Sequence, residues 1–293
     1  MIFRPKFAVQ HVMLMIVASI FSMTPLFGGQ VACQSSPTVA CLDNGRYQVE
    51  VSWASGLDSG QGQVLASSAT DTAFFTLGDA DTAETMVRVD DNCLLNSFSW
   101  VYINELSRNQ VDITVTDTDN GNVRQYVFNE GFIHQPVIDS EGIACAPQPF
   151  KSAASHSSLQ KASSQLRLIN NRFHITVDWD LSAGGGGVGT PIPLTDSSGA
   201  FWLFSPSEGV RTMKIEPNTQ TGFYRFTTSS VSSVRQMVRV VDSCSGNVQV
   251  YDFTEGVVLA IEDGQMHPIE CDGFLFAEDF ECGDLSPWSS STP

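Results

Sequence analysis

The residues Arg46-Tyr47-Gln48-Val49-Glu50-Val51-Ser52-Trp53 alternate apolar and polar side chains without a break. The same pattern returns in Arg172-Phe173-His174-Ile175-Thr176-Val177-Asp178-Trp179. Successive side chains of a β-strand point to opposite faces, so a period of two over eight residues describes a strand with one buried and one wet face. A helix of this length would need apolar residues every three or four positions, and no stretch beyond the N-terminal leader has such a stripe. The fold class is therefore all-β.

Outward from these two strands the chain repeats itself. Gly121-Asn122-Val123-Arg124-Gln125-Tyr126-Val127-Phe128-Asn129-Glu130-Gly131 recurs as Gly246-Asn247-Val248-Gln249-Val250-Tyr251-Asp252-Phe253-Thr254-Glu255-Gly256, with seven of eleven positions identical. Ala73-Phe74-Phe75 is matched with Ala200-Phe201-Trp202, and Val87-Arg88-Val89 with Met213-Lys214-Ile215. Self-similarity of this kind marks two copies of one structural unit. Further strand-like runs are expected at 85–90, 98–103, 110–116 and 123–128, with counterparts in the second copy. Asp119-Asn120-Gly121 between two such runs has tight-hairpin chemistry, because Asn and Gly tolerate positive φ. Six or seven short strands per copy predict two tandem antiparallel β-sandwich modules of immunoglobulin-like type, at 41–145 and 168–271. A Ser- and Ala-rich linker is expected at 146–167 and an acidic tail at 272–293.

The first residues carry Arg4 and Lys6 ahead of an apolar run from Phe7 to Phe27, the layout of a secretory signal peptide spanning 1–32. No membrane span is expected once it is removed. Its loss takes the formal net charge from −17 to −19, because residues 1–33 hold two basic and no acidic side chains. Nucleic acid and anionic membrane surfaces repel such a chain, so neither is expected as a partner. Seven cysteines fit an oxidising compartment, secreted or at the cell surface. Cys33 directly after the leader offers a lipid-anchor position, although Gln30 stands where a lipoprotein signal prefers an aliphatic residue. Cys41, Cys145, Cys244 and Cys271 are the disulfide candidates. Cys41 and Cys145 bracket the first module and are expected to pair, which leaves Cys271 to pair with Cys244 or Cys282.

The Arg-Phe-x-Ile-x-Val-x-Trp strand, the Gly199-Ala200-Phe201-Trp202-Leu203-Phe204-Ser205-Pro206 segment and the Asp-Thr-Asp-Asn-Gly hairpin resemble a repeat of uncharacterised secreted bacterial proteins. The tail Phe280-Glu281-Cys282-Gly283-Asp284-Leu285-Ser286-Pro287-Trp288-Ser289 is similar to the Phe-Glu-Ser-Gly-Asp-x-Ser-x-Trp-Ser ending of such proteins, with Cys282 in place of the usual Ser. The resemblance implies bacterial origin and export, and carries no activity with it.

Catalytic chemistry has little to build on. His156 falls in the linker, His134 and His267 follow the two modules where solvent is expected around them, and His174 lies on the wet face of its strand. There is no nucleophile elbow and no zinc-binding His or Cys pattern, so neither an enzyme nor a cofactor or metal is expected. Asp117-x-Asp119-x-Gly121 has the outline of a calcium loop, but the second copy reads Asp242-Ser243-Cys244-Ser245-Gly246 and a hairpin is the simpler reading. Gly184 to Gly187 reads as a flexible loop. The aromatics remain. Phe98, Trp100 and Tyr102 share one face of a strand, and Tyr224 and Phe226 occupy a similar stretch in the second copy. Phe201-Trp202-Leu203-Phe204 is apolar on both faces, which calls for a second layer or a ligand. Trp53 and Trp179 are assigned to the core. Trp100, Tyr102, Trp202 and Tyr224 are the candidate ligand-binding residues, for a glycan or an extracellular protein. The rival expectation is a structural or adhesive spacer of the cell envelope, and a hydrolase ranks third.

Overall fold

The computed structural model describes residues 32–66, 70–145, 164–203 and 211–270. The leader, most of the linker and the C-terminal tail, with Cys271 and Cys282, lie outside these residues. The first module runs through β1 (Val39–Leu42), β2 (Tyr47–Ser55), β3 (Asp58–Gln61), β4 (Gln63–Leu65), β5 (Thr72–Thr76), β6 (Ala83–Asp90), the single helical turn α1 (Cys93–Asn96), β7 (Phe98–Glu105), β8 (Gln110–Asp117), β9 (Val123–Phe128) and β10 (Val137–Ala144). The second repeats it strand for strand: β11 (Leu166–Leu168), β12 (Phe173–Asp180), β13 (Gly186–Val188), β14 (Thr190–Pro193), β15 (Ser198–Trp202), β16 (Arg211–Asn218), β17 (Phe223–Ser230), β18 (Arg235–Asp242), β19 (Val248–Phe253) and β20 (Ala260–Pro268). Each module is a sandwich of two antiparallel sheets, ordered β1-β2-β8-β9 with β3 beside β2, and β10-β7-β6-β5-β4. In the second module the orders are β11-β12-β18-β19 with β13 beside β12, and β14-β15-β16-β17-β20. Strand β11 begins at Leu166, so the second module starts inside the expected linker.

The period-two strands do what their pattern requires. Tyr47, Val49 and Val51 are fully buried in one core, and Phe173, Ile175 and Val177 in the other. Trp53 and Trp179 pack half-buried at the margins of these cores. The Trp53 ring lies where a side chain on Gly60 or Gly78 would stand, which explains glycine at both positions. Arg46 and Arg172, which open the two strands, each hold the first acid of the Asp-x-x-x-Gly hairpin. Arg46 reaches Asp117 at 3.1 Å, and Arg172 grips Asp242 with two contacts of 3.0 Å. The same carboxylates accept turn N–H groups, from Asp119 at 2.9 Å and from Cys244 at 3.0 Å. With its acid committed to an arginine and to the turn, Asp117–Gly121 is a hairpin anchor. Gly121 and Gly246 both sit at positive φ there.

Register corrects one part of the repeat alignment. Thr72 pairs with Arg88 and Ser198 with Lys214, so Phe75 corresponds to Phe201 and Phe74 to Ala200. Matching Phe74 with Phe201 slips one residue, and in a strand one residue exchanges the two faces. Phe75 and Phe201 fill their own cores. Phe74, Ala200 and Trp202 lie on the opposite side, where the two modules meet.

The disulfides also differ from expectation. Cys33 bonds Cys41, and Cys93 bonds Cys145. Cys41–Cys145 is therefore not formed: Cys41 sits in β1 on the first sheet, whereas Cys145 follows β10 on the second, beside α1. The Cys33 sulfur is engaged and cannot also carry a lipid. Cys244 is disulfide-bonded; the expected pairing with Cys271 lies outside the described residues.

Candidate binding face

Strand β6 is buried along both of its faces. One face is explained by its own sandwich, through Val87 and Val89. The other carries Glu84, Met86 and Arg88, and the layer that covers its first half is the second module. Phe74 and Met86 belong to the same buried cluster as Ala200, Trp202 and Met213. Around this apolar patch runs a polar ring. Lys214 Nζ donates to Glu84 Oε1 at 2.9 Å and to Glu216 at 3.1 Å. Ala83 N donates to Ser198 Oγ at 2.7 Å, and the Thr82 and Ser197 hydroxyls meet at 2.9 Å. Ser229 Oγ donates to Asn104 Oδ1 at 2.9 Å. Arg108 reaches Glu262 at 2.6 Å on the exposed edge. Since Arg88 pairs with Tyr102 and Lys214 with Thr227, Asn104 and Ser229 are equivalent positions of the repeat. Two equivalent residues bonded to each other mark a local two-fold arrangement, in which each module offers the same sheet face to the other.

This interface decides the fate of the candidate aromatics. Trp202 is buried, at 9 % exposure, facing the first module. The second layer that its doubly apolar strand demands is protein. Tyr224 is buried at 8 %, edge-on to Phe173 with ring centroids 4.9 Å apart, inside its own sandwich. It corresponds to Ser99, not to the outward aromatics of β7. The module that places tyrosine at Tyr47 puts a serine opposite, with the two hydroxyls 2.6 Å apart, and the other module reverses the choice with Phe173 and Tyr224.

Trp100 and Tyr102 remain at the surface. They are part-exposed neighbours on the outer face of β7, with centroids 6.4 Å apart and rings tilted by 47°. The Trp100 indole N–H donates to Asn96 Oδ1 at 3.2 Å, which ties the ring to α1. Arg88 lies over the Tyr102 ring at 4.8 Å and forks onto Asp90. Three exposed aliphatics stand nearby: Leu94 and Leu95 on α1, and Ile138, which faces Tyr102 across the β10–β7 pairing. The sequence reading missed these because an isolated pair of leucines and one isoleucine carry no periodic signal.

The groups with shifted proton affinity are spread through the fold. Glu105 is fully buried, and burial pushes its carboxyl up to about 7 against hydrogen bonds from Ser107 N and Thr85 Oγ1. Burial raises Asp71 to about 6. His267, expected in solvent, is 4 % exposed because β20 carries it over Phe173; burial lowers its pKa. His174 is outward as expected, with Nε2 2.9 Å from the Asn171 carbonyl. Asp91, Cys93 and Cys145 have ligand atoms close together, but both sulfurs are spent in a disulfide and Asp91 is paired with Arg46. Among the described residues, no helix is long and apolar enough to cross a membrane. Compared with known proteins, the chain matches no family model, no curated protein and no solved structure.

Proposed function

We propose that the chain is an exported bacterial, non-enzymatic binding protein that meets a glycan or an extracellular protein through the outer face of module 1 around Trp100 and Tyr102. One observation carries this reading: of the four candidate aromatics, these two stay part-exposed and adjacent, while Trp202 and Tyr224 are consumed by packing. Aromatic rings give a large, rigid contact area at small entropic cost, and such side chains dominate binding energy where they can be desolvated. The disulfides Cys33–Cys41 and Cys93–Cys145 support export into an oxidising compartment. The non-enzymatic part is supported by the internal engagement of the perturbed acids: Glu105 is held by Thr85 and Ser107, and Glu84 by Lys214. The spacer reading draws on a different observation, the buried ion pair and hydrogen-bonded ring that fasten the two modules together.

Screening extracellular glycans and proteins against the wild-type chain and against Trp100→Ala and Tyr102→Ala separates the two. Binding predicts at least one ligand whose affinity falls tenfold or more, about 1.4 kcal/mol, in each variant. Ligands that bind all three proteins equally, or none at all, favour the spacer.

A further inference from the structure

This inference rests on the binding reading and narrows its ligand to a polypeptide. The sheet face that carries Trp100 has two ends. At one end, Phe74, Met86 and Asn104 are buried under the second module, so this face is already a protein–protein contact surface. The aromatic row leaves that interface without interruption. Tyr102 packs against the cross-module cluster, and Trp100 follows 6.4 Å further along the strand. Beyond it lies α1 with Leu94 79 % exposed and Leu95 70 %, while Ile138, 43 % exposed, stands on β10 beside Tyr102.

The polar groups beside the rings are already engaged with one another. Arg88 is forked onto Asp90 and covers one face of Tyr102. The Trp100 indole is bonded to Asn96 Oδ1, and Asn96 Nδ2 donates to the Ser140 carbonyl at 2.8 Å. A sugar stacked on these rings would find the Arg88 and Trp100 donors already engaged, and its hydroxyls would face three exposed aliphatic side chains. Aliphatic and aromatic side chains of another protein gain from the same burial. The sign of the partner follows from the chain as a whole, whose net charge is −17; at the rim itself Asp90 and Asp91 are matched by Arg88 and Arg46. We propose that the surface formed by Leu94, Leu95, Trp100 and Ile138 docks an extracellular polypeptide that presents an apolar strip bordered by Lys or Arg.

The test uses the full chain carrying 5-fluorotryptophan, with the Trp100 resonance assigned from Trp100→Phe. The probes are an amphipathic Leu/Lys peptide, its Leu/Glu counterpart, and oligosaccharides derived from chitin, cellulose and mannan. The Leu/Lys peptide is expected to shift the Trp100 resonance saturably, with no response to the other probes. Leu94→Ser with Leu95→Ser, which leaves the charge unchanged at two exposed positions, is expected to weaken it at least tenfold. A peptide response that survives both serines reduces to charge attraction and overturns the proposal. Saccharide shifts without a peptide shift overturn it while leaving the binding reading intact. Silence of Trp100 toward every probe overturns both. Self-association abolished by the serines would assign the face to a second copy, and would also overturn it.

Discussion

Replacing Glu105 by Gln separates a charge from a shape. The side chain is fully buried, accepts from Thr85 Oγ1 at 2.6 Å and from Ser107 N at 2.7 Å, and has its carboxyl raised from 4.5 to about 7 by burial. Between those two pH values the folded chain keeps a proton that the unfolded chain has released. Stability therefore falls as pH rises through this window and is level above it. A gap of roughly 2.5 pH units at 1.36 kcal/mol each gives about 3 kcal/mol of destabilisation at pH 8. Gln keeps the size and both contacts, with its carbonyl toward Ser107 and its amide toward Thr85, and never ionises. Urea unfolding at pH 4.5 should place Glu105→Gln within about 0.5 kcal/mol of the wild type. At pH 8.5 the variant should be the more stable by about 3 kcal/mol. Because other titrating groups cancel in the difference, a difference that stays constant from pH 4.5 to 8.5 would mean that Glu105 does not carry a raised pKa in the folded chain.

The cross-module ion pair gives a second handle. Lys214→Met should cost about 3–5 kcal/mol in urea unfolding by leaving Glu84 buried without its cation, and adding Glu84→Leu should recover most of the loss. Phe74→Ala, at a position that serves the interface and not its own sandwich core, should cost about 3–5 kcal/mol, measured the same way. Non-reducing peptide mapping should recover Cys33–Cys41 and Cys93–Cys145 and no Cys41–Cys145 species. Replacing both Cys93 and Cys145 by Ser should cost about 4 kcal/mol on the chain-entropy relation for a loop spanning 52 residues.

How much of this was legible in the sequence depends on which force placed each residue. Strand positions followed from the period of two, because a sandwich sheet has one wet side and one core side: Tyr47, Val49 and Val51 are buried as their alternation requires. Where both sides of a strand are covered the alternation vanishes. Phe74 and Phe75, or Phe201 and Trp202, then give no clue to which residue faces the core and which the neighbouring module. The repeat alignment slipped by one residue at that point. Tyr224 reads as a counterpart of Trp100 and Tyr102 for a related reason: the two copies trade Tyr47 and Ser99 for Phe173 and Tyr224, a compensation visible only when facing strands are known. Disulfide pairing was illegible because spacing does not report which sheet a cysteine ends on. The candidate face was half legible. The alternation of β7 shows that Trp100 and Tyr102 share a strand face, but α1, Leu94, Leu95 and Ile138 join them only through tertiary structure.

The modules bury one tryptophan of the shared sheet face, Trp202, and leave another, Trp100, part-exposed. The most direct measurement is 19F NMR of the 5-fluorotryptophan chain with a soluble paramagnetic agent, with the resonances assigned from Trp100→Phe and Trp202→Phe. The Trp100 signal should broaden strongly and that of Trp202, which is 9 % exposed between the modules, should change little. A Trp202 signal that broadens as readily as that of Trp100 would mean the modules do not dock through this face. A Trp100 signal as protected as that of Trp202 would remove the binding surface.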